Sequence, residues 1–133
     1  MKSKLILTCA VVAISLGLFA CSPASPTSVD VSYAWNQETE IAVGGSLTVT
    51  LESNATTGFE WELVNITDET VLEQVGEQEY KAPEAGAIGV GGEEVWTFKA
   101  LKKGKSTISM EYRRPWEEGV EPAQTFALTV VVK

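Results

Sequence analysis

An all-β domain, a sandwich or a barrel, is the fold the sequence predicts, and three observations predict it. Apolar and polar residues alternate with a period of two in several short runs. Clusters of turn-forming residues separate those runs, and no stretch keeps a helical period. A period of two sends one side of a strand into a core and the other to water. Short strands of this kind with turns between them build sandwiches or barrels.

Taken in order, the first clear strand carries Leu47, Val49 and Leu51 alternating with Thr48, Thr50 and Glu52. Phe59, Trp61 and Leu63 alternate with Glu60 and Glu62 in the second. Val71 to Val75 is a short candidate strand. Val95 to Leu101 places Trp96, Phe98 and Ala100 on one side; Trp61 and Trp96 each fit the face of their own strand and are expected in the core. Ile108, Met110 and Tyr112 alternate with Ser109 and Glu111, and Phe126, Leu128, Val130 and Val132 form a terminal strand. The turn signals are Gly44-Gly45, the segment 65–68, Lys102-Lys103-Gly104, and Glu118-Gly119 with Pro122.

Upstream of the strands the chain has a different character. Residues 1–20 combine Lys2 and Lys4 with an apolar run from Leu5 to Phe19, the pattern of a secretory signal. That run ends in Leu18-Phe19-Ala20-Cys21, which resembles a bacterial lipobox, so Cys21 is expected to be acylated and to begin the mature chain. Plain secretion with cleavage near Ala20 and a free Cys21 is the alternative. Residues 22–30 are small, polar and proline-containing, which suits a tether. The expected layout is therefore a signal peptide over 1–20, a lipidated cysteine and flexible tether over 21–39, and one domain over 40–133. Its expected location is the cell envelope, on the periplasmic or extracellular face, held to the membrane through Cys21.

Composition excludes several chemistries. The 133-residue chain holds 10 Lys+Arg against 18 Asp+Glu, and removing Lys2 and Lys4 with the signal leaves a net charge of −10. Phosphate binding needs clustered cations, so no nucleic-acid partner is expected. Histidine is absent. That removes the Ser-His and Cys-His dyads, imidazole zinc sites and the commonest general base near neutral pH. A two-carboxylate hydrolase is still open, but a non-enzyme with no metal or cofactor is the expectation. An acylated Cys21 leaves the mature domain without a thiol, so packing alone must hold it.

Three inter-strand segments carry residues that a connector does not need. The first is Asn54-Ala55-Thr56-Thr57-Gly58-Phe59, whose Asn, Thr and Gly can hold one backbone shape; by itself it reads equally as a tight turn. The second, Gly86-Ala87-Ile88-Gly89-Val90-Gly91-Gly92, lies in a long connection over 76–93. Connections of that length are usually functional or disordered. No Lys-Ser/Thr and no helix start follow these glycines, which argues against a phosphate cradle and leaves a lid or a close backbone approach. The third is Arg113-Arg114-Pro115-Trp116. Trp116 either tucks onto the core or faces outward as the kind of residue enriched at binding hot spots.

In order and spacing, Asn54-Ala55-Thr56-Thr57-Gly58, Gly89-Val90-Gly91-Gly92 and Arg114-Pro115-Trp116 resemble the three loop motifs of the chagasin-like cysteine protease inhibitors, over roughly residues 40–133. The resemblance implies an immunoglobulin-like β-sandwich with the three loops at one end. It implies reversible inhibition of papain-type cysteine proteases by a monomer. Residues 54–59, Phe59 included, would occupy the centre of the cleft, with Thr56 and Thr57 over the catalytic cysteine. Gly89, Val90, Gly91 and Gly92 would lie along one wall, and Arg114, Pro115 and Trp116 would grip the other. The family usually has proline where this chain has Ala55. The rival reading is a lipid-anchored immunoglobulin-like module that binds an envelope protein or a glycan.

Overall fold

The computed structural model of the chain describes residues 28–32, 37–85 and 89–133. The expected signal peptide, Cys21, residues 22–27 and 33–36 of the expected tether, Trp35 among them, and residues 86–88 of the second loop lie outside the described residues. Among the described residues there are nine strands: β1 (Ser28–Ser32), β2 (Gln37–Ile41), β3 (Ser46–Ser53), β4 (Glu60–Ile66), β5 (Leu72–Gln74), β6 (Glu79–Lys81), β7 (Gly92–Ala100), β8 (Gly104–Arg113) and β9 (Gln124–Val132).

They form two sheets. One runs β1-β3-β7-β5, with β6 also pairing β7, and the other runs β2-β9-β8-β4. β1 lies parallel to β3, Ser28 opposite Ser46, and β2 lies parallel to β9. The remaining pairs are antiparallel. Both inner faces feed one core: Leu47, Val49, Leu51, Trp96, Phe98 and Ala100 from the first sheet meet Trp61, Ile108, Met110, Phe126, Leu128 and Val130 from the second. Removing side chains of this size from water contributes roughly 1.5–3 kcal/mol each. The architecture is the immunoglobulin-like sandwich that the resemblance implied.

The alternation reads directly into burial. Buried and half-buried positions alternate in β3, β7, β8 and β9, and Trp61 and Trp96 are both buried. The Val71 to Val75 segment contains β5. β7 begins at Gly92, so the strand starts before the predicted Val95 and the last glycine of the second motif is already on the ladder. The long connection over 76–93 is also not structureless, because β6 divides it. One strand lies within the segment read as tether over 21–39, and a second begins in it. β1, Ser-Val-Asp-Val-Ser, itself alternates and completes one edge, and β2 ends on the buried Ile41.

Register brings the three motif loops together. Ser53 pairs with Gly92 at the end of β3, and Glu60 pairs with Arg113 at the start of β4. The connections β3–β4, β6–β7 and β8–β9 therefore leave from one end of the sandwich. The opposite end holds the turn at Gly44 and Gly45, bonded to Ala100, and the 101–103 turn.

Candidate functional site

The central loop is a single 3₁₀ turn, Ala55–Thr57, between Asn54 and Gly58. Asn54 caps it in extended geometry: its Oδ1 accepts the Thr56 N–H at 3.2 Å and the Thr56 hydroxyl at 2.6 Å. Its carbonyl accepts the Thr57 N–H at 3.1 Å and the Thr57 hydroxyl at 2.7 Å. A short polar side chain at the cap satisfies donors that the first turn leaves open. Gly58 closes the turn at φ 77°, a left-handed geometry that glycine adopts at little cost. Ala55, Thr56 and Thr57 are exposed at its tip.

The loop stands on an aromatic base. Tyr112 is buried at the end of β8, and its hydroxyl accepts the Asn54 N–H at 2.9 Å. Phe59 stacks on Tyr112 at 5.2 Å, and Trp61 meets its ring at 5.1 Å. The Arg114 guanidinium lies 4.4 Å above the Phe59 ring, while its Nε–H donates to the Thr57 carbonyl at 3.1 Å and Nη1 reaches Glu117 at 3.1 Å. Arg114 thus ties the third loop to the first. Phe59, expected in the contact surface, is a half-buried support beneath it.

Arg114, Pro115, Trp116 and Glu117 form a β-turn closed by the Glu117 N–H on the Arg114 carbonyl at 3.1 Å. Proline in second position presets the backbone for such a turn. Trp116 sits at the outer corner, 67% exposed, with one edge of its indole over Gly58. A Cβ on Gly58 would have no room beneath that ring.

In the second loop Gly89 adopts φ 75°, and Val90 is 59% exposed. Gly91 passes close beside Ser53 and Asn54, and a Cβ on Gly92 would meet the Lys81 carbonyl at 2.2 Å. Gly91 and Gly92 therefore serve close backbone approach, one of the two readings left open by the sequence, whereas Gly89 has open space around it and serves its left-handed φ. A groove of about 560 Å³ separates this loop from the central one, bordered by Asn54, Val90, Tyr112 and Gln124. A second, of about 330 Å³, lies between the central loop and Trp116, with Tyr80 and Glu94 on its wall.

Below the central loop the Glu94 carboxylate is 5% exposed. It accepts the Ser53 hydroxyl at 2.7 Å and the Trp61 N–H at 3.2 Å to each oxygen. Burial raises its pKa above the ordinary carboxylate value, with these bonds pulling the other way.

Comparison with known proteins decides the family. The family model for the chagasin family peptidase inhibitor I42 matches residues 40–130, most of the chain and all three loops. The chain belongs to the chagasin family. Amoebiasin-2 from Entamoeba histolytica is 31% identical over 93 residues, covering 70% of this chain and 75% of that protein. Among solved structures, EhICP2 from the same organism superposes with a TM-score of 0.70 at 24% identity, covering 80% of this chain and 96% of EhICP2, a likeness of fold. PbICP-C, solved in complex with falcipain-2, gives a TM-score of 0.55 at 26% identity over 80% of this chain and 98% of that one.

Within this chagasin-family domain the residues singled out in the sequence gather at one end. Asn54, Ala55, Thr56, Thr57 and Gly58 form the middle, Gly89, Val90, Gly91 and Gly92 lie on one flank, and Arg114, Pro115 and Trp116 on the other. Sequence reasoning missed two supports. Tyr112 read only as one of the alternating residues of a strand, and Glu94 was not singled out. Its place on the same side as Trp96 and Phe98 was the available signal.

Proposed function

We propose that this chain is a reversible, non-covalent inhibitor of papain-type cysteine proteases that fills the active-site cleft with three loops. The observation that carries this reading is a contrast in exposure at one end of the sandwich. Trp116 and Val90 are large apolar residues left in water on either side of a central turn whose Thr56 and Thr57 hydroxyls and Asn54 and Thr57 carbonyls are bonded within the protein. Such a surface offers little to a polar ligand and suits a cleft that takes a ready-made wedge. Membership of a peptidase-inhibitor family supports the reading, as does a related fold solved with falcipain-2.

The geometry supplies a mechanism. A loop with one preformed shape loses little conformational freedom on binding. The Thr57 carbonyl is held by Arg114 and the Asn54 carbonyl by Thr57. These oxygens are not free to turn toward an oxyanion site, so at these two peptides a catalytic cysteine is denied the alignment that attack requires. The chain has no histidine to pair with a hydroxyl nucleophile of its own, and inhibition is by occupancy. Protease–inhibitor contacts of ordinary size reach nanomolar constants or better, about −12 kcal/mol.

The test is the rate of peptide hydrolysis by papain titrated with the purified protein, beside an Arg114→Ala/Trp116→Ala double variant. Stoichiometric inhibition that the double variant loses is the expected result. Full papain activity at saturating protein, repeated across related proteases, would overturn the reading. Two further parts of it are that Cys21 carries the lipid that holds the protein at the cell envelope, and that the protein is a monomer. Radiolabelled palmitate incorporation that Cys21→Ala abolishes checks the first, and the sedimentation coefficient the second.

A further inference from the structure

We propose that Glu94 is a positioning residue for the central loop: one buried carboxylate fastens both stems of that loop to the strand leaving the second loop. The proposal rests on the inhibitory reading above for its functional consequence, and on geometry for the rest. Ser53 is the last residue of β3 and Trp61 is the second of β4, so together they bracket the loop. Glu94 bonds both, and it follows Gly92, the last glycine of the second loop, by two residues on β7.

The bond to Trp61 crosses between sheets. β4 is the edge strand of the second sheet, and Glu94 reaches its main chain from the first. The stems are also joined by the Trp61 indole N–H on the Glu52 carbonyl at 2.9 Å, a tie made at the end of a side chain. Glu94 adds a hold on the Trp61 main chain itself, where apolar packing would tolerate sliding more readily. A buried carboxylate is costly, and hydrophobic packing of similar volume would often stabilise more. Its hydrogen bonds offset part of that cost and in return specify one distance between the stems. Stem spacing in turn determines where Thr56 and Thr57 stand relative to Gly91 and Trp116. Small errors in such placement are expensive when a rigid wedge must enter a rigid cleft.

Two variants test this. Glu94→Ala removes all three bonds, and Glu94→Gln keeps an oxygen of similar position without the charge. Amide hydrogen exchange of Thr56, Thr57 and Gly58 is measured by NMR beside that of β8 and β9, together with the dissociation rate of the papain complex. In Glu94→Ala the loop amides should exchange about tenfold faster and the complex dissociate about tenfold faster, with β8 and β9 unchanged. Glu94→Gln should recover most of both. Unchanged loop exchange in Glu94→Ala, or equal acceleration across all strands, would overturn the proposal. If Glu94→Ala does not fold, Ser53→Ala releases one stem and takes its place, with the same expected pattern. A wild-type protein that leaves papain active would sink the inhibitory reading alone, because the exchange measurement needs no protease.

Discussion

The Trp116 indole lies so close over Gly58 that a Cβ added there would fall 2.2 Å from Trp116 Cη2. The central loop and the third loop are thus fitted to each other through a missing side chain. Gly58 also sits at φ 77°, where an L-residue costs about 1–2 kcal/mol. Gly58→Ala is expected to lower stability by about that amount and to push Trp116 off its seat. Thermal unfolding checks the first effect. The second predicts an inhibition constant for papain at least about tenfold weaker, and an unaltered constant would contradict it.

Trp116 makes few demands on the fold. At 67% exposure its removal should change stability by no more than about 0.5 kcal/mol. Its loss from an interface should cost roughly 2–4 kcal/mol of binding, as for a buried aromatic anchor. Trp116→Ala is therefore expected to separate the two quantities: nearly unchanged urea unfolding, and a papain constant weaker by about 30-fold or more. Equal inhibition by variant and wild type would remove Trp116 from the contact.

Ala55 stands at the first position of the 3₁₀ turn, following an extended Asn54 at φ −117° and ψ 91°. Proline is tolerated at a first helical position because its missing N–H has no intrahelical partner there, and it asks for an extended residue before it. Ala55→Pro should therefore fit and stiffen the unfolded chain, raising stability by about 0.4–1 kcal/mol. It should also tighten inhibition through slower dissociation. A fall in unfolding midpoint would mean that the turn needs the Ala55 N–H or a different backbone angle.

Burial holds the Glu94 carboxyl above its ordinary value of 4.5, and the neighbouring Glu60 charge acts in the same direction. The native chain therefore binds that proton more tightly than the unfolded chain. The contribution of this group to stability is fully present below pH 4.5 and is lost as pH rises through the raised value. Glu94→Gln stays neutral throughout. The stability of the wild type relative to Glu94→Gln should fall as pH rises from about 4 to 7, as read by urea unfolding at each pH. A difference that does not change with pH would show that the carboxyl titrates alike in both states.

Much of this was legible in the chain because burial and alternation are the same fact. Leu47, Val49 and Leu51 announce β3, alternating with polar residues, and Phe126, Leu128 and Val130 announce β9, alternating with Ala127 and Thr129 before the Val130–Val132 run. β6 was not legible, because Glu79, Tyr80 and Lys81 are all exposed and hold their place by pairing with β7 alone. β1 did alternate, but its five residues follow directly on a run of small, proline-containing ones, and composition outweighed period. At the site, the motifs gave the tips of the loops. The supports from Tyr112 and Glu94 depend on contacts across long stretches of sequence, such as the Ser53 hydroxyl on Glu94, and no local pattern reports them.

The parallel course of β1 beside β3 bears on how such an inhibitor could be displayed. Ser28 lies opposite Ser46, at the pole of the sandwich farthest from the central loop. A lipid on Cys21 would be joined to Ser28 by no more than about 25 Å of extended chain. The eight residues of β3 would then carry the loops roughly 27 Å further along the strand axis. On the proposed acylation of Cys21, the anchored end of the chain would join the domain at the pole opposite the proposed wedge, and a protein moored at a bilayer would present its loops to proteases arriving from the aqueous side.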